Sequence, residues 1–396
     1  MGFLAGVPPN VRWLVFLLTP LTVGVGYFGI LVGAYLPEIG VPVNAIGLLL
    51  GTMGISMVVS AVPLGLLSDR VERKRILIPA GFVFPLILVV FAMTRDLAVL
   101  LIASAVAGIA EGAFLTTWNA IIADQTTPEN RNAAFALSFI VFTLGSGLGL
   151  ALPLAFPAVE GATGWDPHAV HVGALLILAL ASYISPAGLW FLLRGYRQVP
   201  HEREAGGPRG SLRPLLKFSG LNGLIGLGAG FIIPLIPTWM LLRFNVSDEQ
   251  SGPLLAIAGL TMGLAAVSSA RLAKRLGAMR AIAITQGTST IFMLAMVATP
   301  TAWIAGGVYV LRAALMNMAS PLMDAFLMGI IPREQRGLAS AVNSLIWRLP
   351  NSITTVIGGA ILASGNLELP FYLATAFYAA GIVGLYATFK SVRPRT

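Results

Sequence analysis

Cysteine is absent from this 396-residue chain, and histidine is scarce, which together exclude several kinds of chemistry. Without cysteine there are no disulfides and no thiolate metal sites. The three histidines, His168, His171 and His201, lie in or next to predicted loops, so we expect no buried His-rich metal centre and no metal or other cofactor. A nucleotide-binding loop of the pattern Gly-x-x-x-x-Gly-Lys-Ser/Thr is also missing, which excludes direct drive by ATP.

Charged residues are the next scarce class. They make up 10% of the chain, whereas a soluble domain carries about 25%. Hydrophobic residues account for 57%. The net charge of +9 does not indicate nucleic acid, because the basic residues stand in short loops between apolar runs. The composition therefore predicts an integral membrane protein.

The apolar sequence falls into twelve runs that are each long enough to cross a bilayer, which takes roughly 20 residues. We number them spans one to twelve. Their predicted limits are Trp13 to Leu36, Ala45 to Leu67, Ile76 to Met93, Leu97 to Ala123, Asn132 to Phe156, Ala169 to Leu193, Pro214 to Leu241, Ser251 to Leu272, Ala281 to Thr299, Thr301 to Leu327, Leu338 to Ala363 and Pro370 to Lys390.

The distribution of basic residues fixes the predicted orientation. If both termini are cytoplasmic, the inner segments hold 21 of the 25 Lys and Arg residues. The outer loops hold Arg95 and Arg243, and the spans themselves hold Arg312 and Arg348. Basic residues accumulate on the cytoplasmic side of membrane proteins. We therefore predict an all-α polytopic protein of the cytoplasmic (inner) membrane. The first apolar run lacks a basic n-region and a small-residue cleavage site, so we expect no cleaved signal peptide.

The two halves of the chain repeat each other at an offset of 205 residues. LSDRVERKR after span two corresponds to LAKRLGAMR after span eight, and Arg131 corresponds to Arg336. Six spans return the chain to the same side, so the repeats are parallel. We predict a six-helix bundle over residues 1–193, a polar cytoplasmic linker over 194–213 and a second six-helix bundle over 214–396.

The loop after span two carries a recognisable motif, GLLSDRVERKR. It resembles the Gly-x-Leu-Ala-Asp-Arg-x-Gly-Arg-Lys signature of the major facilitator superfamily (MFS), with Ser68 in place of Ala and Glu72 in place of the second Gly. The resemblance implies the MFS fold of twelve helices in two pseudo-symmetric bundles. The positions that match are Gly65, Leu67, Asp69, Arg70, Arg73 and Lys74.

Two further segments resemble the drug/proton antiporter-like efflux branch of that family. GIAEGAF in span four is similar to Arg-x-x-Gln-Gly, with Gly108 in place of Arg and Glu111 in place of Gln. GSGLGLALP in span five is similar to Gly-x-x-x-Gly-Pro, with Gly145 and Gly149 matching. Close helix packing explains a pair of glycines at this spacing equally well.

The resemblance assigns a gating role to Gly65, Asp69, Arg70, Arg73 and Lys74. It implies that Asp69 faces the start of span eleven and latches the cytoplasmic side in the outward-open state. A carboxylate near a helix N-terminus is stabilised by about 0.3 to 1 kcal/mol. The alternative is that this loop only orients the chain in the membrane.

Charges at mid-membrane depth are costly, which makes them candidates for function. Glu111 is the candidate proton-coupling residue, because a poorly solvated carboxyl can bind and release a proton near neutral pH. Arg348 and Arg312 are candidate anchors for an anionic group on a substrate. The alternatives are that Glu111 is neutral or paired, and that Arg312 is structural because it lies next to the repeat equivalent of residue 108.

Other polar, aromatic and proline residues complete the candidate site. Any one of the polar and aromatic side chains also fits a packing role. Those that could line a substrate cavity are Tyr27, Tyr35, Trp118, Asn119, Asn222, Trp239, Asn317 and Asn343. Pro234 and Pro237 predict that span seven bends, with Pro63, Pro153, Pro321 and Pro350 as further candidate kinks.

These features favour a secondary active transporter that works by alternating access. We expect it to export a small organic solute in a proton-coupled process. The alternative within transport is a carrier of organic anions or a flippase for an anionic amphiphile or lipid. The chain lacks the clustered polar residues of a membrane enzyme and the polar rings of a channel. We expect no enzyme activity and no nucleic-acid partner; the partners are a small molecule, protons and the lipid bilayer, and the chain is expected to be monomeric.

Overall fold

The computed structural model describes residues 6–198, 212–332 and 335–392, and every regular element in these ranges is a helix. Most of the predicted linker, residues 199–211 with His201, lies outside them. Seven predicted spans are single helices, namely spans two (Val43–Ser68), three (Lys74–Met93), four (Leu97–Asp124), eight (Asp248–Leu276), nine (Ala278–Val297), eleven (Arg336–Ala363) and twelve (Leu369–Phe389).

The other five spans are built from shorter pieces. Span one comprises Pro9–Phe16, Thr19–Ile30, a π-helical turn at Leu31–Tyr35, and Leu36–Glu38. Span five is Pro128–Ala151, a 3₁₀ turn at Leu152–Ala155, and Phe156–Thr163; span six is Pro167–Ser182 and Ile184–Leu192. Span seven is Arg213–Gly230, a 3₁₀ turn at Ile233–Leu235, and Ile236–Phe244; span ten is Ala302–Met318 and Ser320–Ile330.

Eleven helical segments in the described ranges are long and apolar enough to cross a membrane. Span eight is not among them, although its helix runs for 29 residues. A membrane protein of many spans is therefore confirmed, whereas the count of twelve and the cytoplasmic position of the termini stay predictions.

Prolines mark three of the interruptions. Pro234, Pro153 and Pro321 stand where spans seven, five and ten change from one helical piece to the next. Proline lacks the N–H that an α-helix interior needs. Pro63 and Pro350, in contrast, lie within continuous helices.

Glycines let neighbouring helices touch backbone to backbone. A Cβ at Gly26 of span one would collide with the backbone of Ser146, and one at Gly149 of span five with the Val23 carbonyl. Span seven packs on span eleven in the same way, because a Cβ at Gly226 would collide with the Trp347 carbonyl. The glycine pair of span five thus has a packing role, which is the second of the two interpretations given above.

The repeat is visible in local hydrogen bonds as well as in sequence. The Arg131 guanidinium donates to the Ala123 carbonyl at 3.3 Å. The Arg336 guanidinium donates to the Met328 carbonyl at 3.0 Å. In both cases the acceptor stands eight residues before the arginine, and the two sites are 205 residues apart. The two arginines therefore bind equivalent carbonyl groups near the ends of spans four and ten.

The chain divides into two compact units that differ slightly from the sequence repeats. Unit one comprises Met1–Tyr35, Thr52–His201 and Asp248–Ala256; unit two comprises Leu36–Gly51, Glu202–Ser247 and Ile257–Thr396. The first turns of span two therefore belong to unit two and the rest of that span to unit one. The first turns of span eight belong to unit one and the rest of that span to unit two. The division at residues 193 and 214 stays a prediction.

Those first turns are held by equivalent contacts. In unit one, a Cβ at Gly252 of span eight would collide with the Leu150 carbonyl of span five. In unit two, a Cβ at Gly47 of span two would lie 2.8 Å from the Thr355 carbonyl of span eleven. Gly47 and Gly252 are 205 residues apart, and so are Leu150 and Thr355. We call these two places the start contacts.

We expect Gly26→Ala to lower the thermal unfolding temperature of the detergent-purified protein, because the added methyl group has no room and overpacking costs about 1 to 3 kcal/mol. Gly29→Ala in the same helix is the matched control. A Cβ at Gly29 meets no atom within 4 Å, so this change should be neutral or stabilising by up to about 1 kcal/mol. Equal unfolding temperatures for the two variants would contradict the packing role of Gly26.

Candidate functional site

The basic loop after span two is fixed to the end of span four by an ion pair. Arg73 and Asp124 form a salt bridge, and their side chains are 8% and 2% exposed. The hydroxyl of Tyr196 donates to the same carboxylate oxygen of Asp124. Burial, followed by the contact with Asp124, raises the pKa of Tyr196, which keeps its hydroxyl protonated as a donor.

The same loop is joined to the chain that follows span six. Lys74 donates to the Tyr196 carbonyl at 3.0 Å, and Gln198 donates to the Ser68 carbonyl at 3.0 Å. The sequence alone did not reveal the roles of Asp124, Tyr196 and Gln198. No local pattern marks Tyr196 and Gln198, because they act through distant parts of the chain.

The remaining motif residues have a different environment. Asp69 and Arg70 are exposed, and the nearest atom to a Cβ at Gly65 would be the Thr116 methyl, 4.0 Å away. Packing therefore does not require glycine at position 65. The gating role of Asp69 stays a prediction.

Span four packs tightly on span two around Glu111. A Cβ at Gly108 would collide with the Met53 carbonyl, and one at Gly112 would lie 2.6 Å from the Ser60 hydroxyl. An arginine could not occupy position 108 without moving these helices apart. The departure from the antiporter pattern thus has a steric reason. Glu111 lies between the two glycines and is half-buried.

The two arginines of unit two lie in unlike surroundings. Arg312 is buried, and its guanidinium donates to the Tyr378 hydroxyl at 2.7 Å. The Ser289 hydroxyl donates to the backbone carbonyl of Arg312 at 2.8 Å. Arg312 therefore joins spans nine, ten and twelve, which favours its structural interpretation. Arg348 in span eleven is half-buried.

Two of the predicted cavity residues contact each other. Asn222 of span seven donates to the Asn343 side chain of span eleven at 3.1 Å. The Asn317 side chain donates to the Ala313 carbonyl of its own helix at 2.9 Å. Asn119 is exposed.

The aromatic candidates are mainly core residues. Trp239 is buried, donates to the Leu367 carbonyl at 3.1 Å, and packs edge-on against Phe371. Trp118 is buried and stacks on the neighbouring Phe114 ring at 5.3 Å. These contacts support packing more than substrate binding. Tyr27 is buried as well, and its hydroxyl has no hydrogen-bond partner among the described residues.

One histidine has a role that the sequence did not show. His171, which stands next to a predicted loop, is buried in span six and bonded to Asp248 of span eight. The two residues are 77 positions apart, so no spacing rule joins them. Within the described ranges, no group of three or more His, Asp or Glu side chains is placed to hold a metal ion.

Comparison with known proteins gives matches along both halves of the chain. The family model described as Major Facilitator Superfamily matches residues 13–223 and 218–396. The chain is 29% identical over 156 residues to the multi-drug resistance efflux pump PmrA of Streptococcus pneumoniae, which is 39% of this chain and 38% of the pump. It is 27% identical over 187 residues to the gallate transporter of Pseudomonas putida, which is 46% of this chain and 40% of that protein. The chain thus spans about two fifths of the length of these curated relatives.

The fold matches solved structures over nearly the whole chain. The crystal structure of a mutant of the nucleoside transporter NupG superimposes with a TM-score of 0.75 at 13% identity, covering 96% of this chain and 99% of that one. At this identity the likeness shows the fold alone.

We expect Asp124→Asn to reduce the yield and unfolding temperature of the folded protein, because it leaves the buried Arg73 without its counter-charge. Breaking a buried ion pair costs about 3 to 5 kcal/mol. The control is Glu72→Gln, which neutralises a carboxylate of the same loop whose side chain is 35% exposed and whose surface ion pairs contribute little to stability. Size-exclusion profiles and thermal unfolding in detergent measure both, and an equal effect of the two changes would contradict the assignment.

Proposed function

The chain belongs to the major facilitator superfamily, and from that premise we propose that it is a secondary active transporter that exports a small organic solute in exchange for protons. The observation that carries the proposal is the family match in both halves of the chain, on a fold shared with transporters over nearly its full length. The protein transports rather than catalyses, and it works by alternating access in the cytoplasmic membrane.

Orientation follows from charge. The basic loops, including Arg73 and Lys74 after span two, face the cytoplasm together with both termini. The start contacts at Gly47 and Gly252 then lie toward the outer side. The likeness to PmrA, whose name gives it as a multi-drug efflux pump, supports export.

A second candidate function is transport of an organic anion. Two observations favour it, namely the positive charge of Arg348 within span eleven and the likeness to a gallate transporter. An arginine guanidinium matches carboxylate geometry better than an ammonium group does. A flippase for an anionic amphiphile or lipid would use the same charge.

A thermal-shift screen separates these functions. The purified protein is heated with panels of anionic, cationic and neutral organic solutes, because a ligand that binds only the folded state raises the unfolding temperature. Solutes that do so are then tested in proteoliposomes with and without a pH gradient. Gradient-driven accumulation supports the transporter, and accumulation of none of the stabilising solutes contradicts it.

For an anionic solute found in that screen, we expect Arg348→Ala to raise the Kd at least tenfold, which is about 1.4 kcal/mol. Arg312→Ala should instead lower the unfolding temperature, because it removes a charged hydrogen bond to Tyr378 that is worth about 1.5 to 3 kcal/mol. Titration in detergent measures the affinity of each variant. Unchanged affinity in Arg348→Ala would remove the anchor role.

We expect Glu111→Gln to retain solute binding and exchange but to lose uphill transport driven by a pH gradient. The change keeps the size of the side chain and fixes it as neutral, so the protein can no longer take up and release a proton there. Solute exchange and gradient-driven accumulation are compared in proteoliposomes. If the variant still concentrates solute with normal pH dependence, another group carries the coupling, such as Asp124 or Asp324 near the ends of spans four and ten.

A further inference from the structure

The His171 and Asp248 pair joins the beginning of span six to the beginning of span eight inside unit one. The His171 Nε2 atom lies 2.9 Å from Oδ2 of Asp248, and its Nδ1 atom lies 2.7 Å from the Pro167 carbonyl oxygen. The two side chains are 3% and 2% exposed. Both ring nitrogens are therefore engaged away from bulk water.

These contacts require a bound proton. A carbonyl oxygen only accepts, so Nδ1 must carry a hydrogen. Nε2 faces a carboxylate, and the 2.9 Å contact needs one hydrogen between them. Asp248 is the first residue of the span eight helix and is itself buried. Together, His171 and Asp248 therefore hold one proton more than a neutral histidine and an ionised aspartate do when they are apart. We assign that proton to the imidazole ring.

The surrounding rings fit a positive charge. The Tyr35 ring stacks on the His171 ring with centroids 3.6 Å apart and an interplanar angle of 6°. Phe156 meets the same ring edge-on at 4.7 Å. Aromatic faces attract cations, and more strongly when water is excluded. Tyr35 is the last residue of the π-helical turn in span one, and its hydroxyl bonds to His168 at 2.9 Å.

Other ionisable groups face the pair from the elements around it. Tyr27 of span one interacts electrostatically with Asp248. Glu249 of span eight interacts with Asp248, with His171 and with Glu160 of the short helix that ends span five. Arg95 lies 3.3 Å from the ring nitrogens of His168. Carboxylates as well as a guanidinium therefore lie around the pair.

The internal repeat contains an equivalent contact that forms without such a pair. The equivalent start contact of unit two uses Gly47 against Thr355 and forms without a titratable pair, because the repeat equivalents of Asp248 and His171 are Val43 and Ala376. In span eight, Asp248 stands one turn before Gly252 on the same helix face. Of two equivalent contacts, one carries an ion pair that depends on a proton.

We propose that His171 and Asp248 form a second proton-binding site, separate from Glu111, which fastens the start of span eight to spans one, five and six only while a proton is bound. The proposal rests on the proposed function, since alternating access requires this start contact to separate when the outer side opens. Separation exposes both side chains to water, where a histidine loses its proton at about pH 6.5.

The direction of the pH effect follows from the proton count. The fastened state holds one proton more than the separated state above that pH, so raising the pH favours separation. One proton changes the ratio of the two states by at most about tenfold per pH unit. Low pH on the outer side therefore keeps the start of span eight in place.

The protonation state can be read directly, since only three histidines contribute signals to a protein labelled with ¹⁵N-histidine. In full-length protein in nanodiscs at about pH 7.5, where a histidine in water is mostly neutral, we expect the His171 ring to show two protonated nitrogens. In Asp248→Asn the ring should be neutral, while in His168→Gln both ring nitrogens of His171 should stay protonated. A neutral His171 ring in the parent at this pH would overturn the proposal.

The movement is measured by spin labels, which the cysteine-free chain accepts without a background signal. Labelled Gly161→Cys and Gln250→Cys place one label on each side of the contact at exposed positions. As the pH is raised from about 5.5 to 8.5, a range that brackets the pKa of a solvated histidine, we expect a population with a longer distance between the two labels to grow in the parent and in His168→Gln. This population should not grow in Asp248→Asn or His171→Gln. The same distance distribution at all pH values in the parent would make the pair structural and overturn the proposal.

Neither measurement needs a transported solute, so the outcome of each is independent of whether the protein is an exporter. If both behave as expected and no solute is accumulated in proteoliposomes, the proton site is supported and the exporter function fails. If a pH gradient drives accumulation while either readout fails, the exporter stands and this site is excluded.

Discussion

Close approach of helix backbones at glycines is the constraint on which the rest of this protein depends. Lipid offers no hydrophobic force between helices, so association relies on packing and hydrogen bonds. Gly149 against Val23 and Gly226 against Trp347 set the spacing of the central helices in the two units. Gly108 sets the spacing between spans four and two, and it thereby excludes a long side chain at its own position near Glu111.

The two repeats share this scaffold but not the ionisable groups in the middle of their spans. Arg131 and Arg336 make the same hydrogen bond, 205 residues apart. By contrast, the repeat equivalents of Glu111, Arg312 and Arg348 are uncharged: Met316, Ala107 and Thr143. A symmetric framework with asymmetric charges suits a transporter, because the scaffold supplies the motion and each half supplies different chemistry.

Most of the fold could be predicted from the sequence, because hydropathy, basic loops and proline positions are local signals. The observed helices begin and end close to the predicted limits, and span seven breaks near Pro234 as expected. The site was harder to predict. Trp239 is a core residue, and the partners of Arg73 and His171 lie 51 and 77 positions away, distances that no local pattern encodes. Burial and pairing depend on which helices meet, and only the structure shows that.

The π-helical turn at Leu31–Tyr35 makes the length of span one as important as its composition. A π turn holds more residues than an α turn, and each α-helical residue rotates the chain by about 100°. Before the turn, Gly26 faces span five; after it, Tyr35 stacks on His171. Deleting one residue there would restore a regular helix but rotate these two faces relative to each other. Insertions and deletions in this segment should therefore be far less tolerated in evolution than substitutions that preserve the residue count.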